Sequence, residues 1–166
     1  TVYVPTNEAM QEAYQKGIIM KWDDINRITD KTVKDSIINR MERFVRYHFQ
    51  DNSVFIHPNQ VVNELFQTAT IKNTDEISFL HTYKNKFYRI KALGDGQNLD
   101  LITETGDTAH VITRSGYYNI LTRDYIFSIN PSTLTSLNTS TYAQSQITTS
   151  STAVIHLIDK VLRFEK

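Results

Sequence analysis

The spacing of apolar residues changes near residue 53, and this change constrains the fold more than any other feature of the sequence. Before it, apolar side chains recur at steps of three and four residues, which is the spacing of one face of an α-helix. After it, short runs of β-favouring residues alternate with turn residues. The sequence therefore predicts helices first and a β-rich body second, with a sheet or other helices covering the apolar helix face.

The clearest helix is predicted over residues 32–49, after a pattern at Thr32–Asp35 that resembles a capping box. Its apolar stripe consists of Val33, Ile37, Met41, Phe44, Val45 and His48. A shorter helix is predicted to begin after Pro5, where Thr6 or Asn7 can accept a hydrogen bond from the first helical turn. Both helices are amphipathic, so each needs a partner that buries its apolar side.

Short β-favouring runs dominate the rest of the chain. A first strand is predicted at Thr1–Val4, and further strands are predicted at 53–56, 61–66, 68–71, 77–83, 87–93, 99–103, 110–113, 117–121 and 153–164. A tight hairpin is expected between the runs at 77–83 and 87–93. Many short strands at this spacing are typical of an antiparallel sandwich or barrel.

Residues 131–152 form the one segment of biased composition. This segment is rich in serine and threonine and contains no charged residue. We expect a solvated surface loop inserted into the domain. A binding loop or a glycosylated stalk is the alternative, and it rests on a single glycosylation sequon at Asn138.

Opposite charges balance in this chain, with 18 Lys and Arg residues against 18 Asp and Glu residues. A net charge of zero disfavours a nucleic-acid partner and a polybasic membrane-surface protein, because both normally carry a basic excess. The absence of cysteine excludes a disulfide scaffold, a thiolate zinc site and a cysteine nucleophile. No apolar run approaches the roughly 20 residues of a membrane-spanning helix, so no transmembrane segment is expected in this chain.

No motif in the sequence points to a catalytic or cofactor site. No two histidines have the three- or four-residue spacing that places two imidazoles on one helix face. A Gly-x-Ser-x-Gly turn and a Gly-Lys-Ser/Thr phosphate loop are also missing. We therefore expect no catalytic residues, no metal and no cofactor. The enzymatic alternative, a glycan hydrolase, would need two carboxylates about 5–10 Å apart in one cleft.

Three segments, in this order along the chain, resemble the conserved boxes of the fasciclin-like domain. Residues Thr1–Met10 read TVYVPTNEAM and are similar to the first box of that family. Residues Ala153–Leu162 read AVIHLIDKVL and are similar to its closing box. Between them, Tyr47 and His48 stand where the family carries a Tyr-His motif, at the end of a helix. Three boxes in the family's order are more specific than any one of them.

This resemblance implies an α+β fold, a wedge-shaped antiparallel β-sandwich with N-terminal helices packed along one edge. Residues 1–166 would form a single fasciclin-like domain. The resemblance also implies a non-catalytic adhesion or interaction module that is extracytoplasmic, on the cell surface or secreted. Its expected partner is a protein or glycan of the cell surface or matrix.

Carried to this sequence, the family's adhesion motif falls on Tyr47 and His48. The matching residues of the two outer boxes are expected to be structural: Thr6, Asn7, His156 and Asp159. From helix spacing, His48 should be buried and hydrogen-bonded, whereas Tyr47 lies one residue off the apolar stripe and should be partly exposed. His156 and Asp159 are an odd number of residues apart, so a regular strand would point them to opposite faces.

The sequence departs from the family pattern in two places. The helices that usually precede the first box are absent, and we expect their absence to leave an apolar patch bare. The residues before the closing box are Thr152 and Ala153 instead of the usual Asn-Gly. Long insertions such as the Ser/Thr-rich segment 131–152 resemble those of bacterial, Bacteroidetes-type surface lipoproteins.

The alternative function is a carbohydrate-binding module that stacks sugars on Trp22 and exposed tyrosines.

Overall fold

A computed structural model describes residues 1–72, 86–114, 116, 118–123 and 151–165. The strand predicted at 77–83, its hairpin, and residues 131–150 of the predicted insertion lie outside the described residues. Within the described part, helices and two β-sheets combine, so the predicted α+β class is confirmed.

Three helices occupy the first third of the chain: α1 (Asn7–Gln15), α2 (Trp22–Asn26) and α3 (Lys31–Tyr47). The Thr6 hydroxyl caps α1 by accepting a hydrogen bond from the Ala9 amide at 3.1 Å. The Asp30 carboxylate caps α3 in the same way, from the Val33 amide at 3.1 Å. The capping box predicted to start two residues later is therefore wrong, because the N-cap is Asp30 and its carboxylate satisfies a free amide of the first turn.

Even α3, with its 17 residues, is too short and too polar to cross a bilayer, and this holds for every helix in the described residues.

The larger of the two sheets has four antiparallel strands. Its strands are β2 (Val62–Ile71), β3 (Phe87–Gly94), β4 (Leu99–Ile102) and β5 (Thr108–His110), in the order β2-β3-β4-β5. The runs predicted at 61–66 and 68–71 join into the single strand β2, with an irregular register after Gln67. The run at 53–56 is extended chain outside any strand.

The smaller sheet has three strands in the order β1-β7-β6. Its strands are β1 (Val2–Pro5), β6 (Ile120–Arg123) and β7 (Ser151–Ile158). Strand β7 pairs antiparallel with β6 and parallel with β1. An all-antiparallel architecture is thus wrong for this sheet. A parallel pair needs a long crossover between its strands, and nearly the whole chain separates β1 from β7.

One core cluster contains buried residues of both sheets and of α3. Its members include Tyr3 and Ile158 from the three-stranded sheet and Ile90 and Leu101 from the four-stranded sheet. Phe44 contributes from α3. Two members of the predicted α3 stripe, Val33 and Val45, are exposed instead.

The cap of α1 gives a first test of the local structure. Replacing Thr6 with Ala should lower the free energy of unfolding by about 1 kcal/mol, because the Ala9 amide loses its acceptor. Thr6→Ser keeps the hydroxyl and should restore most of this loss. Urea denaturation followed by circular dichroism measures both. Asn7→Ala is the matched control, and an equal loss in Asn7→Ala would show that Thr6 is not the cap.

Candidate functional site

The three boxes recognised in the sequence meet at one place in the fold. Tyr3 of β1 pairs in register with His156 of β7, and its amide donates to the His48 carbonyl at 2.9 Å. The amide of Leu162, beyond β7, donates to the His48 ring at 3.0 Å. The first strand, the end of α3 and the closing segment are therefore joined by direct hydrogen bonds.

His48 is buried at the end of α3 and bonded through both ring nitrogens. Its Nδ1 lies 2.9 Å from the carbonyl oxygen of Phe44, and its Nε2 accepts from the amide of Leu162. A carbonyl can only accept and an amide N–H can only donate, so the ring is neutral with its proton on Nδ1. Burial lowers the pKa of His48 from 6.5 to about 4. The expectation of a buried, hydrogen-bonded His48 is confirmed.

His156 is fully buried in β7 and has the opposite tautomer. Its Nε2 lies 2.8 Å from the Val54 carbonyl oxygen, and its Nδ1 accepts from the Asn119 amide at 3.2 Å. Burial lowers the pKa of His156, although its bond to Val54 acts in the other direction. The Tyr3 ring stacks on the imidazole with 6.0 Å between centroids. His156 thus connects β7 to two loop segments.

Asn119 belongs to this network, although the sequence analysis did not single it out. Its side chain accepts from the Ile56 amide at 2.9 Å and donates to the Ile56 carbonyl at 2.7 Å. Its backbone has a φ of 53°, in the left-handed region that asparagine tolerates better than most residues. An asparagine after Tyr117-Tyr118, just before a β-favouring run, is the only sequence signal that could have indicated it.

Tyr47 is buried with no exposed surface, so the expectation of partial exposure is wrong. Its hydroxyl donates to the Arg89 carbonyl at 2.9 Å and accepts from the Glu104 amide at 3.1 Å. Burial raises the pKa of this hydroxyl above its ordinary value. Tyr47 therefore ties α3 to the four-stranded sheet and offers no surface to a partner in this conformation.

The geometry of α3 explains why Tyr47 is buried and Val45 is exposed. At about 100° per residue, these two side chains lie on opposite flanks of the stripe that contains Phe44 and His48. The Tyr47 flank meets the Arg89 carbonyl of β3, the Glu104 amide just after β4 and the rings of Tyr88 and Phe164, whereas Val45 remains 52% exposed. Helix periodicity defines the centre of the stripe but not the flank that the sheet covers.

Asp159 is half-buried, whereas His156 is fully buried. Asp159 lies one residue beyond the end of β7, so the alternation of a regular strand does not extend to Asp159. Its carboxylate accepts from the His110 amide at 2.7 Å, and its own amide donates to the His110 carbonyl at 3.0 Å. These bonds join the two sheets at the end of β5. Thr6 is also near, since its amide donates to the Ile158 carbonyl at 3.0 Å, and Asn7 begins α1.

The polar side chains where the three boxes meet stabilise the fold through hydrogen bonds to the main chain. Both imidazoles and the Tyr47 hydroxyl are bonded to main-chain groups on their donor and acceptor sides. A general acid or base must instead reach a substrate and change its protonation state. Among the described residues, no three His, Asp or Glu side chains are grouped to hold a metal ion.

An apolar cavity of the described chain lies elsewhere, between the α1–α2 connection, α3 and the C-terminal segment. It encloses about 380 Å³, within the range of ligand-binding clefts. Apolar side chains form much of its lining: Ile19, Met20, Ile37, Met41, Phe44 and Phe164. We refer to this cavity as the helix cleft.

Charged residues are also part of the helix-cleft lining. Arg40 is exposed and has no ionic partner in the described part of the chain, and Lys21 lies 5.9 Å from the centre of the Tyr14 ring. The two carboxylates of the lining are engaged with arginines. Glu165 lies 3.1 Å from Arg43, and Asp24 lies 3.6 Å from Arg27.

Comparisons of the chain with protein-family models, with curated proteins and with solved structures find no match. The resemblance to the fasciclin-like domain therefore rests on the three sequence boxes.

Removing the buried Tyr47 hydroxyl tests its structural role. Tyr47→Phe should lower the free energy of unfolding by about 1–3 kcal/mol, because the Glu104 amide and the Arg89 carbonyl lose their shared partner. Tyr88→Phe is the control, since its hydroxyl bond to Glu165 is solvent-exposed. Urea denaturation measures both variants. A Tyr47→Phe loss no greater than that of the control would contradict the assignment.

The lowered histidine pKa values predict a loss of stability in acid. The folded pKa of His48 lies below its unfolded value, so the unfolded chain binds the proton first as the pH falls. The stabilisation by neutral His48 is present above about pH 6.5 and lost progressively toward pH 4, by about 3 kcal/mol. His156 acts in the same direction.

Urea denaturation between about pH 7 and pH 5 measures this dependence. His48→Gln should flatten the decline in unfolding free energy, even though the variant is less stable at neutral pH. His57→Gln removes an exposed histidine and should keep the decline of the unmodified chain. The prediction fails if His48→Gln and the unmodified chain lose stability equally between the two pH values.

Proposed function

We propose that this chain is a non-catalytic adhesion or interaction module that works outside the cytoplasm, on the cell surface or in secreted form. The observation that carries the proposal is the burial and hydrogen bonding of its motif residues. Tyr47, His48 and His156 are buried and bonded to main-chain groups on both sides. Groups held in this way support a framework and are poorly suited to acid–base or nucleophilic chemistry.

The proposed architecture is the wedge-shaped β-sandwich of fasciclin-like domains. Two features support it. One core cluster draws buried residues from both sheets, and the sheets are joined where Asp159 meets His110. The parallel pairing of β1 with β7 also places the first and closing boxes side by side.

The helix cleft is the proposed contact surface, in place of the buried Tyr47 and His48. Its apolar lining can receive an apolar side chain of a protein partner. Arg40 and Lys21 have no carboxylate partner in the described chain, so the rim favours a nearby acidic group. We therefore propose a protein ligand that presents an apolar residue flanked by Asp or Glu.

A carbohydrate ligand is the second candidate, and Trp22 favours it. This indole is 56% exposed and lies next to Lys21 of the cleft lining. Exposed aromatic rings stack on sugar faces. All tyrosines whose burial is described are buried or half-buried, so Trp22 would be the main stacking residue.

Selection of displayed random peptides on the full chain tests the protein ligand. Enriched peptides should combine aliphatic or aromatic residues with Asp or Glu. Arg40→Glu should weaken their binding by about tenfold or more, because it reverses the charge at the cleft. Arg114→Glu makes the same change at an exposed position outside the cleft lining and should leave binding unchanged.

Two further assays separate the alternatives. Saccharide binding on a glycan array, lost in Trp22→Ala, would favour the carbohydrate-binding candidate over the protein ligand. Turnover of chromogenic glycosides by the full chain would contradict the non-catalytic proposal. Peptide binding that Arg40→Glu leaves intact would contradict the helix cleft as the contact surface.

A further inference from the structure

Strand β2 is an edge strand whose outer side is only partly covered. Strand β3 pairs with its inner side from Val62 to Gln67 without a register shift. On the outer side, Gln67 is bonded to Asp51 through both its amide and its carbonyl, at 2.9 Å each. Before Gln67, no segment of the described chain pairs with this edge.

The alternation of a regular strand shows which main-chain groups are free. In an antiparallel pair, the amide and carbonyl of alternate residues point to the same side. Those of Gln67 point outward to Asp51, so those of Leu65 and Asn63 point outward as well. The edge therefore presents at least two residues whose main-chain donors and acceptors have no partner among the described residues, and such groups can template another strand.

The side chains along this edge favour pairing. Val61 is 80% exposed and Leu65 is 60% exposed, on either side of the exposed Asn63. The stretch from Val61 to Phe66 contains neither lysine nor proline, the residues that commonly block edge pairing. Its one charge is Glu64.

We propose that a second copy of this chain adds to the edge, antiparallel, with the two-fold axis between the paired Asn63 residues. Each Asn63 would exchange two main-chain hydrogen bonds with its counterpart. Val61 would lie opposite Leu65 of the partner subunit, on one face of the sheet. Val62 would lie opposite Glu64 of the partner subunit, on the other face. The two four-stranded sheets then become one continuous sheet across the dimer.

Complementarity of the strand with itself selects this register and this occupant. A two-fold axis at Glu64 would place like charges directly opposite each other, which destabilises a strand pair. An axis at Val62 would set Leu65 against Asn59 and leave its apolar surface uncovered. The axis at Asn63 separates the two carboxylates and pairs the two exposed apolar residues. An isologous contact of this kind closes as a dimer.

Sedimentation velocity of the full chain, from low micromolar to near-millimolar concentration, tests the proposal. A monomer–dimer equilibrium is expected. Leu65→Lys and Asn63→Pro should each shift the midpoint to at least tenfold higher concentration. Proline at position 63 removes an amide that points away from β3, so the sheet itself should persist. Val33→Lys is the control, because it charges another exposed apolar residue, on α3.

Single cysteines report the register, because the chain has no cysteine of its own. Asn63→Cys should form an intermolecular disulfide on mild oxidation, since residues in a hydrogen-bonded pair lie about 5.5 Å apart. Glu64→Cys is equally exposed but would face Val62 of the partner subunit, so it should crosslink far less. Preferential crosslinking through Glu64→Cys would overturn the proposed register.

Other results would overturn the dimer itself. One is a chain that stays monomeric over the whole concentration range, and another is a dimer that Leu65→Lys and Asn63→Pro leave unchanged. This edge shares no residue with the helix cleft, so Arg40→Glu should not alter the association. Failure of the dimer and failure of the proposed ligand site are thus distinguishable.

Discussion

Two neutral imidazoles hold together segments that are distant in the chain, and the rest of the structure depends on them. His48 receives the amide of Leu162, 114 residues away, while His156 reaches the carbonyl of Val54, 102 residues away. A neutral imidazole has one donor and one acceptor, so each ring satisfies two buried main-chain groups that no strand ladder reaches. This arrangement requires both rings to remain uncharged, which links the fold to pH.

Because the motif residues are buried, they are not available to bind a partner. His48 and Tyr47 are inaccessible within the described chain, so a partner must contact other residues. Two surfaces are suited to contact for different reasons. The helix cleft combines an apolar lining with Arg40, which has no ionic partner among the described residues, and this combination suits a ligand. The edge of β2 offers main-chain groups, which suit another strand. The two proposals therefore concern separate surfaces and can hold independently.

Local patterns in the sequence predicted much of the framework. The α3 periodicity placed His48 inside, and the Pro5-Thr6 signal located the cap of α1, because both depend on neighbours within a few residues. The cap of α3 was predicted wrongly, since Asp30 and the Thr32–Asp35 pattern are competing start signals and only packing chooses between them.

The sequence by itself determined the α+β class, the order of helices and strands, and the inward position of His48. The tertiary structure decided what depends on distant neighbours. It buried Tyr47 and left Val45 exposed, because the Arg89 carbonyl of β3, the Glu104 amide and the Tyr88 and Phe164 rings lie against only one flank of α3. It also placed β1 parallel to β7 and gave Asn119 its bonds to Ile56. Periodicity describes each element alone, whereas these features depend on how elements from opposite ends of the chain meet.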